Sequence, residues 1–383
     1  MPADLLRDFT DDEARRALPV KWGSVPTDVL PAWIAEMDFA VAAPIAEALR
    51  EAVEASLTGY PAFGDGGRLG RAYAGFARRH YGQAVDPDLL VPVVDVTAGV
   101  RLVLDVLSGP GPVVVPVPAY PPQLQVAQVT GRELVTVPLD PDSPTASIDL
   151  DGIDRALAAG AQTVLLTQPH NPLGRCYSRA ELEGLRDVVT ARGARVVSDE
   201  IHAPLVLPGA AHTPYLTLPG TADHAVALVS TSKAFNTPGL RCAQILSADE
   251  ATHQTLIGVP FVRNDSWSPL GVVGAIAAYD HGDEWLAALI ERLDAQRTLL
   301  TQLLAEHLPD ARMRPLEATY LAWLDLRAYG QDDPADVVLR KTRVRLEPGQ
   351  HFHPGLTGHV RLNIATSPER LTEIVRRMAT ALT

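Results

Sequence analysis

The sequence predicts an α/β protein in which helices cover both faces of a mostly parallel sheet, followed by a smaller α+β unit. Up to about residue 280, short apolar runs typical of strands alternate with helical patterns. These runs are continuously apolar, as in parallel strands that are buried on both faces. After that point the pattern changes to one long helix and several strand-like pieces of alternating hydrophobicity.

The elements follow in order along the chain. Proline-rich residues 1–45 predict an extended, irregular arm, and 60–70 a glycine-rich turn. Predicted helices span residues 44–56, 68–81, 99–108, 122–130, 149–159, 178–192, 283–307 and 368–381. Predicted strands span residues 91–96, 112–117, 133–137, 162–167, 194–198, 224–230, 319–326, 343–347 and 359–364.

This pattern predicts three parts of the chain. The arm, residues 1–45, joins the small domain, residues 46–282 form the large domain, and residues 283–383 form the small C-terminal α+β domain. The helix over 283–307 bridges the two domains.

Composition narrows the class of protein. The net charge of −13 argues against binding to nucleic acid or to an anionic membrane, and no apolar stretch is long enough to span a bilayer. The N-terminus lacks the apolar segment of a signal peptide. Cys176 and Cys242 are too few for a disulfide framework. We therefore expect a cytoplasmic protein. We predict no metal site, because no carboxylate or cysteine joins His351 and His353 at ligand spacing.

Lys233 is the most informative residue. The chain has three lysines, Lys21, Lys233 and Lys341, among 33 basic residues. Lys233 follows the apolar run 225–229 and the polar residues 230–232, where a solvated surface lysine is not expected. A lysine at the end of a buried strand can have a chemical role, because its amine can form a Schiff base with an aldehyde.

Three successive predicted strands end in polar groups. Asn171 follows the strand over 162–167, Asp199 follows 194–198, and Lys233 follows 224–230. In parallel sheets the ligand site lies beyond the carboxyl ends of the strands. We therefore expect these three side chains to line one crevice.

The residue types in this crevice match the needs of pyridoxal phosphate. The cofactor requires an amine for its aldehyde carbon, an anion for its pyridine nitrogen, and hydrogen-bonding partners for its phenolate oxygen. Lys233 and Asp199 supply the first two, and Asn171 and His202 can contact the phenolate. A nearby cation such as Arg241, or desolvation, would lower the pKa of the lysine.

The cofactor also needs a phosphate cup and a stacking group. We predict that the backbone N–H groups of Ala98, Gly99 and Val100 bind the phosphate at a helix start. Ser230, Ser232 and Arg241 lie near Lys233 in the sequence and can complete this cup. Tyr120 follows another predicted strand and can stack on the cofactor ring.

The residues named above, taken with the stretches around them, resemble those of a known enzyme family. The chain is similar to fold-type I pyridoxal-phosphate enzymes of the class I/II aminotransferase superfamily, and within it to the MalY/PatB branch of cystathionine β-lyase-like C–S lyases. The resemblance implies an aspartate aminotransferase-like fold with a seven-stranded type of large-domain sheet. The matching stretches are Lys21-Trp22, LPAWIAEMDF (30–39), GYPAF (59–63), QPHNPLGRCYSRAEL (168–182), VVSDEIHAPLVL (196–207), STSKAFNTPGLR (230–241), ATYLAWLDLR (318–327) and VRLNIA (360–365).

The resemblance implies roles for further residues. Arg361 resembles the arginine that binds the substrate α-carboxylate, together with Asn171. Tyr60 resembles a tyrosine that reaches the phosphate of the partner subunit, which implies a homodimer with shared active sites. His202 stands where many aminotransferases have tyrosine, and His353 stands where the family usually has glycine.

The function that follows is β-elimination from a sulfur-substituted L-amino acid, such as cystathionine or an S-conjugated cysteine, to pyruvate, ammonia and a thiol. Lys233 would remove the Cα proton as a general base, and Asp199 would keep the pyridine nitrogen protonated. Tyr60 or Tyr120 would assist the leaving sulfur.

Three alternatives remain open at the level of sequence. An aminotransferase would use the same residues but would need an amino acceptor. A decarboxylating or oxidatively deaminating enzyme acting on a conjugated cysteine could arise through the loop around His353. A regulator that has lost its chemistry is the third alternative, and the presence of Lys233, Asp199 and Arg361 argues against it.

Overall fold

The computed structural model describes residues 5–61, 67–139 and 146–383. Its helices, numbered along the chain, are α1 (Asp11–Ala17), α2 (Ala43–Glu54), α3 (Gly67–Tyr81), α4 (Val96–Leu107), α5 (Pro121–Val129), α6 (Leu150–Ala158), α7 (Arg179–Arg192), α8 (Glu250–Ile257), α9 (Pro269–His281), α10 (Asp283–His307), α11 (Pro334–Thr342) and α12 (Pro368–Leu382). Its strands are β1 (Leu30–Pro31), β2 (Leu90–Val93), β3 (Val113–Val117), β4 (Leu134–Pro138), β5 (Thr163–Thr167), β6 (Arg195–Asp199), β7 (Ala225–Val229), β8 (Ala243–Leu246), β9 (Arg312–Met313), β10 (Leu321–Asp325), β11 (Val344–Arg345), β12 (Glu347–Pro348) and β13 (His359–Asn363).

In the described part of the chain, the large sheet has seven strands in the order β2-β8-β7-β6-β5-β3-β4. Neighbouring strands from β4 to β7 are parallel, whereas β8 runs antiparallel to both β7 and β2. Every residue of β3, β5 and β7 is buried, which explains their continuously apolar sequences. The predicted mostly parallel α/β sheet is confirmed, and its central strands lie within one residue of their predicted limits.

Local sequence signals set the lengths of the elements that lead to the site. Ser178 begins α7 with a capping box, in which its hydroxyl accepts from the Glu181 N–H and the Glu181 carboxylate accepts from the Ser178 N–H. Gly193 ends the same helix in the left-handed conformation, with φ 62°. The chain can then turn sharply into β6, whose last residue is Asp199.

A second, antiparallel sheet has the order β12-β13-β10-β9, and β13 carries Arg361 between two partner strands. In the N-terminal segment, β1 pairs with β11 in parallel. The segment after β1 therefore runs between the small sheet and the large domain. The domain limits at residues 45 and 282 stay predictions. No helix in the described ranges is long and apolar enough to cross a membrane.

Several predictions of secondary structure were wrong. The arm is not wholly irregular, because Thr10 and Glu13 form a capping box that begins α1. The strand predicted over 91–96 ends at Val93, and α4 begins at Val96 rather than at 99. The strand predicted over 343–347 is interrupted between β11 and β12. Of the glycine-rich turn predicted over 60–70, residues 62–66 lie outside the described residues, and residues 67–70 belong to α3 instead.

Further elements of the described chain were not predicted from the sequence. They are β1, β8, α8, α9, β9 and α11. The sequence of α9 is apolar on nearly every side because Gly271, Gly274 and Ala275 are buried against neighbouring elements, and such a helix lacks the amphipathic stripe that predicts helices. Strand β8 has only four residues, too few for a clear periodic pattern.

Candidate active site

A cavity opens at the carboxyl ends of β5, β6 and β7. Asn171 follows β5, Asp199 ends β6 and Lys233 follows β7, and all three line this cavity. Parallel strands end at the same edge of a sheet, which is why residues far apart in sequence meet here. Arg361 from β13 also lines it. The structure therefore brings the four principal predicted residues into one cavity.

Lys233 lies inside the cavity, and its ammonium group is surrounded by other atoms of the protein. Its Nζ donates a hydrogen bond to the backbone oxygen of Ala35 at 3.1 Å. Desolvation, followed by the positive charge of Arg361, lowers the pKa of Lys233 to about 8, and the carboxylates of Glu36 and Asp199 oppose this shift. At neutral pH a fraction of the amine is therefore unprotonated and can act as a nucleophile or a base.

The wall over Lys233 is the segment Trp33–Asp38, which we name the strap. Two donors meet at the Ala35 oxygen, because the Tyr320 hydroxyl also donates to it at 3.0 Å. Asn363 Nδ2 donates to the backbone oxygens of Ile34 and Glu36, both at 2.7 Å. The strap is thus fixed from the small domain on one side and contacts Lys233 on the other.

Asp199 is a buried carboxylate that has no contacting cation among the residues that the structure describes. Its Oδ2 accepts from Gln123 Nε2 at 2.8 Å, and its Oδ1 accepts from the Ile201 N–H at 3.2 Å. Gln123 is held in turn by the Thr167 hydroxyl, which donates to its Oε1 at 2.7 Å. Burial raises the pKa of Asp199 to about 6, against the opposing hydrogen bonds from Ile201 and Gln123. A bound cation at this position would return the carboxylate to full charge.

Arg361 is a buried cation without a carboxylate partner in the described part of the chain. Its Nη1 donates to Asn171 Oδ1 at 2.9 Å, and its Nη2 donates to the Trp33 oxygen at 2.9 Å. Its buried Nε has no acceptor among the described residues. Burial lowers the pKa of Arg361 to about 10. A planar, desolvated guanidinium with unused donors is suited to a carboxylate.

His202 and Tyr120 also line the cavity. Burial holds the pKa of His202 well below its usual range, so the imidazole is neutral. Its buried Nδ1 has no hydrogen-bond partner within the described ranges. Tyr120 precedes α5, and burial raises the pKa of its hydroxyl, which keeps the phenol protonated.

The predicted phosphate cup was wrong in its position along the chain. Asp95 caps α4, so the Ala98 N–H donates to Asp95 Oδ1 at 2.7 Å and the Gly99 N–H to the Asp95 oxygen at 2.9 Å. As the fifth residue of α4, Val100 has its N–H inside the helix, although its side chain reaches the cavity. Within the described residues, the N–H groups of Val96 and Thr97 have neither a backbone acceptor in α4 nor the Asp95 carboxylate, and both residues line the cavity. The helix start therefore faces the cavity three residues earlier than predicted.

The other predicted cup residues do reach the cavity. Ser230, Ser232 and Arg241 all line it. The Ser230 hydroxyl accepts from the Ser232 N–H at 3.1 Å and donates to the Cys242 oxygen at 2.8 Å. Arg241 forms an ion pair with Asp95 at 2.9 Å, which holds its guanidinium beside the start of α4. An anion at this end of the cavity would meet a helix start, hydroxyl groups and a guanidinium.

Two predicted residues lie away from this cavity. The side chain of Tyr60 is 91% exposed and does not line the cavity of its own chain, so its role across a dimer stays a prediction. His353 Nδ1 accepts from the Gly355 N–H at 3.2 Å, and His353 does not line the cavity. The expectation that no carboxylate lies near His351 was wrong, because Glu347 Oε1 lies 2.7 Å from His351 Nδ1. The described residues contain no group of three or more His, Cys, Asp or Glu side chains that could hold a metal ion.

Sequence reasoning missed Gln123, Asp95 and the strap. Asp95 could have been found, because an aspartate directly before an apolar helical pattern is a strong N-cap signal. Gln123 gives no such signal, since its importance comes from the Asp199 carboxylate in a distant segment. The strap contacts depend on packing between the N-terminal segment and two domains, which periodicity does not describe.

The sequence model of the family described as "Aminotransferase class I and II" matches residues 34–378. The chain belongs to this family. Among curated family members, it is 35% identical to cystathionine beta-lyase of Corynebacterium glutamicum, with 97% of this chain and 98% of the relative covered. It is 32% identical to cystathionine beta-lyase PatB of Bacillus subtilis, with 95% and 96% covered. The resemblance to the MalY/PatB branch is therefore confirmed.

Solved structures agree with this placement in the aminotransferase class I and II family. The PLP-bound C-S lyase from Staphylococcus hominis superposes with a TM-score of 0.86 at 27% identity, covering 97% of this chain and 93% of that chain. N-succinyldiaminopimelate aminotransferase from Mycobacterium tuberculosis superposes with a TM-score of 0.83 at 26% identity, covering 91% and 92%. The fold-type I architecture is therefore confirmed, and both lyases and aminotransferases share it.

The side chains of this family member fit pyridoxal phosphate. Asp199 is a buried carboxylate that contacts no cation in residues 5–61, 67–139 and 146–383, and a protonated pyridine nitrogen requires such a partner. The buried Nδ1 of His202, which has no partner in the described part of the chain, can contact a phenolate oxygen. Lys233 supplies the amine, and the start of α4 with Arg241 supplies an anion site. The donor set is complete within one cavity.

Proposed function

We propose that this protein is a pyridoxal-phosphate-dependent carbon–sulfur β-lyase. It would cleave a sulfur-substituted L-amino acid, such as cystathionine or an S-conjugated cysteine, to pyruvate, ammonia and a thiol. The observation that carries the proposal is the placement of the Lys233 amine, at a lowered pKa, in one cavity with the buried Asp199 carboxylate and the unpaired Arg361 guanidinium. Full-length similarity to cystathionine beta-lyases supports elimination over other reactions of the family.

Lys233, Asp199, Asn171 and His202 would hold the cofactor ring, and the start of α4 with Ser230, Ser232 and Arg241 would hold its phosphate. When bound, pyridoxal phosphate would withdraw electrons from the substrate Cα and so acidify the Cα–H bond. Asp199 would keep a proton at the pyridine nitrogen, because a buried carboxylate gains most from a cation beside it.

Arg361 and Asn171 would fix the orientation of the substrate. The unused Nε and the two Nη groups of Arg361 can bind the α-carboxylate, while the Asn171 bond keeps the guanidinium plane in place. The α-nitrogen would then lie near Lys233 Nζ. This fixed position leaves the Cα proton within reach of the lysine.

Lys233 would act as the general base. Its pKa of about 8 lies close to neutral pH, so a fraction of the amine is unprotonated there and is a strong enough base to take the Cα proton. Tyr120, whose raised pKa keeps its phenol protonated, can donate a proton to the departing sulfur. The strap and Tyr320 cover Lys233 and limit the access of water to it.

We also propose that the active protein is a cytoplasmic homodimer in which Tyr60 of each subunit completes the phosphate site of the other. Support comes from the 91% exposure of this tyrosine, which is unusual for a large aromatic residue without a partner. The free thiols Cys176 and Cys242 fit a reducing compartment.

The deciding experiment measures pyruvate release from L-cystathionine and S-alkyl-L-cysteines by the cofactor-loaded protein without any added keto acid. We expect pyruvate, ammonia and thiol in equal amounts, and no turnover in Lys233→Ala. An aminotransferase would instead release no pyruvate and would require a keto acid to turn over. Turnover by Lys233→Ala at the wild-type rate would refute the role of this lysine.

A further inference from the structure

Arg361 faces a carboxylate with which it does not pair. In the small sheet, Glu347 of β12 lies directly opposite Arg361 of β13 in antiparallel register. Side chains at such positions stand on the same face of the sheet with their Cβ atoms about 4.5–5.5 Å apart, and opposite charges there stabilise the pair. Among the described residues, however, Arg361 forms no ion pair, and Glu347 pairs with His351 instead. A contact within the small domain therefore keeps these two charges apart.

His351 holds the carboxylate of Glu347. The distance from His351 Nδ1 to Glu347 Oε1 is 2.7 Å, and the imidazole donates, since an ionised carboxylate only accepts hydrogen bonds. The Glu347 side chain is only 14% exposed, whereas the His351 side chain is 59% exposed. The more exposed histidine therefore restrains a carboxylate that is itself largely covered by protein.

The backbone that carries His351 is fixed relative to Arg361. A single turn over Gly349–His351 is closed by the Phe352 N–H, which donates to the Gly349 oxygen at 3.0 Å. The buried ring of Phe352 packs against the guanidinium of Arg361, with 4.8 Å between the ring centroid and Cζ. The Phe352 oxygen accepts from the Ala119 N–H at 3.1 Å. The position from which His351 holds the carboxylate is therefore set by the fold.

The charge of Glu347 acts on Arg361 without occupying its donors. Burial lowers the pKa of Arg361 to about 10, and Glu347 is the first of the charged groups that oppose this shift. The buried Nε of Arg361 has no acceptor in the described part of the chain, and Glu347 is a carboxylate on the same face of the sheet. An unrestrained Glu347 would therefore compete with a substrate carboxylate for the same guanidinium.

We propose that His351 is a positioning residue, which holds the Glu347 carboxylate away from Arg361 and so keeps this guanidinium free for the α-carboxylate of the substrate. The inference rests on the carboxylate-binding role that the proposed function gives to Arg361. It extends that function to a pair of side chains that do not line the cavity but set its affinity for carboxylates.

The test replaces His351 by alanine in the cofactor-loaded protein and compares two ligands. L-Norleucine and n-pentylamine have the same alkyl chain and amine, and only L-norleucine carries an α-carboxylate. Their binding can be followed through the visible absorption of the bound cofactor. We expect His351→Ala to weaken L-norleucine binding about tenfold, as for one hydrogen bond to a charged group, and to leave n-pentylamine binding within about twofold.

Further variants separate the restraint from damage to the fold. Adding Glu347→Gln to His351→Ala removes the competing charge and should restore L-norleucine affinity to within about twofold of the wild type. His351→Gln keeps an N–H donor on the side chain and should bind L-norleucine within about threefold of the wild type. The matched control is Arg179→Ala, which breaks an exposed pair with Glu183 on α7 and should change neither affinity.

The inference makes a selective prediction about turnover and can be overturned in two ways. His351→Ala should raise KM for L-cystathionine about tenfold and leave kcat within about twofold, since the restraint acts on binding. If the loss of L-norleucine affinity persists when Glu347→Gln is added, the freed carboxylate is not its cause and the inference is wrong. Equal weakening of L-norleucine and n-pentylamine would also overturn it, because a damaged cavity does not distinguish them.

The binding measurement separates this inference from the proposed function, because neither ligand contains a carbon–sulfur bond. A selective loss of L-norleucine affinity in His351→Ala, with its rescue by Glu347→Gln, in a protein that releases no pyruvate from thioethers would support His351 and refute the lyase. Pyruvate release by the wild type together with unchanged L-norleucine affinity in His351→Ala would support the lyase and refute the role of His351.

Discussion

Asn236 holds the backbone of Met37 by two hydrogen bonds across 199 positions of sequence. The Met37 N–H donates to Asn236 Oδ1 at 2.9 Å, and Asn236 Nδ2 donates to the Met37 oxygen at 2.8 Å. Asn236 lies three residues after Lys233, and Met37 lies in the strap that accepts from Lys233. The loop that carries Lys233 and the segment that contacts this lysine are therefore joined at two points.

Breaking this link should reduce both stability and turnover. Asn236→Ala leaves two backbone groups of Met37 without partners and places alanine at a positive φ of 55°. We expect a loss of about 2–4 kcal/mol in the free energy of unfolding and about a tenfold loss in kcat. Urea unfolding and initial rates with L-cystathionine measure the two effects.

Asn236→Gly provides the matched control for backbone strain. Glycine accepts the positive φ without cost but also loses both hydrogen bonds. The rate should fall equally in the two variants, whereas the alanine variant should be less stable by about 1 kcal/mol. Wild-type rates in both would show that the link between Asn236 and the strap has no part in catalysis.

The sequence was sufficient to predict which strand ends meet at the site. Asn171, Asp199 and Lys233 each follow an apolar run, and the rule for parallel sheets places such positions at one edge. The contacts of the strap could not be predicted from the sequence. They require that a segment from the N-terminus lies between Asn236 and Asn363, and this packing follows from tertiary contacts rather than from any local period.

Arg361 provides a test of how the substrate is held. Because the guanidinium is buried and has no carboxylate partner within the described residues, we expect it to bind the substrate α-carboxylate. Arg361→Lys should lower kcat/KM for L-cystathionine about 100-fold, since an ammonium lacks the planar pair of donors.

The control for Arg361 uses a substrate without the carboxylate. A thioether of cysteamine has the amine and the sulfur but not the α-carboxylate, so its slow reaction should be equally slow in the wild type and in Arg361→Lys. If the variant lost as much activity on this amine as on L-cystathionine, Arg361 would be supporting the fold and not binding the carboxylate.

Asp199 should leave a signature in the pH dependence of stability. Its pKa is raised to about 6 in the folded protein, against an ordinary value of 3.8, so between these values the folded state holds more protons than the unfolded state. Stability of the cofactor-free protein should therefore fall as pH rises from about 4 to 6, by roughly 2 kcal/mol from this group. Asp199→Asn should remove that part of the slope in urea unfolding curves.

Two comparisons make the assignment to Asp199 specific. Asp12→Asn, on the exposed surface of α1, should leave the slope unchanged. Loading the protein with cofactor should flatten the slope in the wild type, because a cation beside Asp199 lowers its pKa. A slope that persists in Asp199→Asn would assign the effect to other groups.

The error in the predicted phosphate cup has a physical origin. The sequence pattern predicts a helix that starts at residue 99, yet Gly99 is the fourth residue of α4. A Cβ at this position would lie 2.4 Å from Leu228 Cδ2, so glycine is needed because α4 packs closely on β7. Close approach and chain reversal both require glycine, and a single sequence does not distinguish them.

This explanation predicts that Gly99→Ala destabilises the protein although alanine favours helices. The gain in helix propensity is about 1 kcal/mol, whereas forcing a methyl group against Leu228 in a packed core costs about 1–3 kcal/mol. Gly75→Ala in α3 is the matched control, because its Cβ would meet only the end of the Arg79 side chain at 3.4 Å, and it should stabilise. In a double variant with Leu228→Ala, the cost of Gly99→Ala should disappear, since the cavity accepts the added methyl group. If the losses in the free energy of unfolding of Gly99→Ala and Leu228→Ala simply add in the double variant, as measured by urea unfolding, then glycine is required at position 99 by the backbone and not by its contact with Leu228.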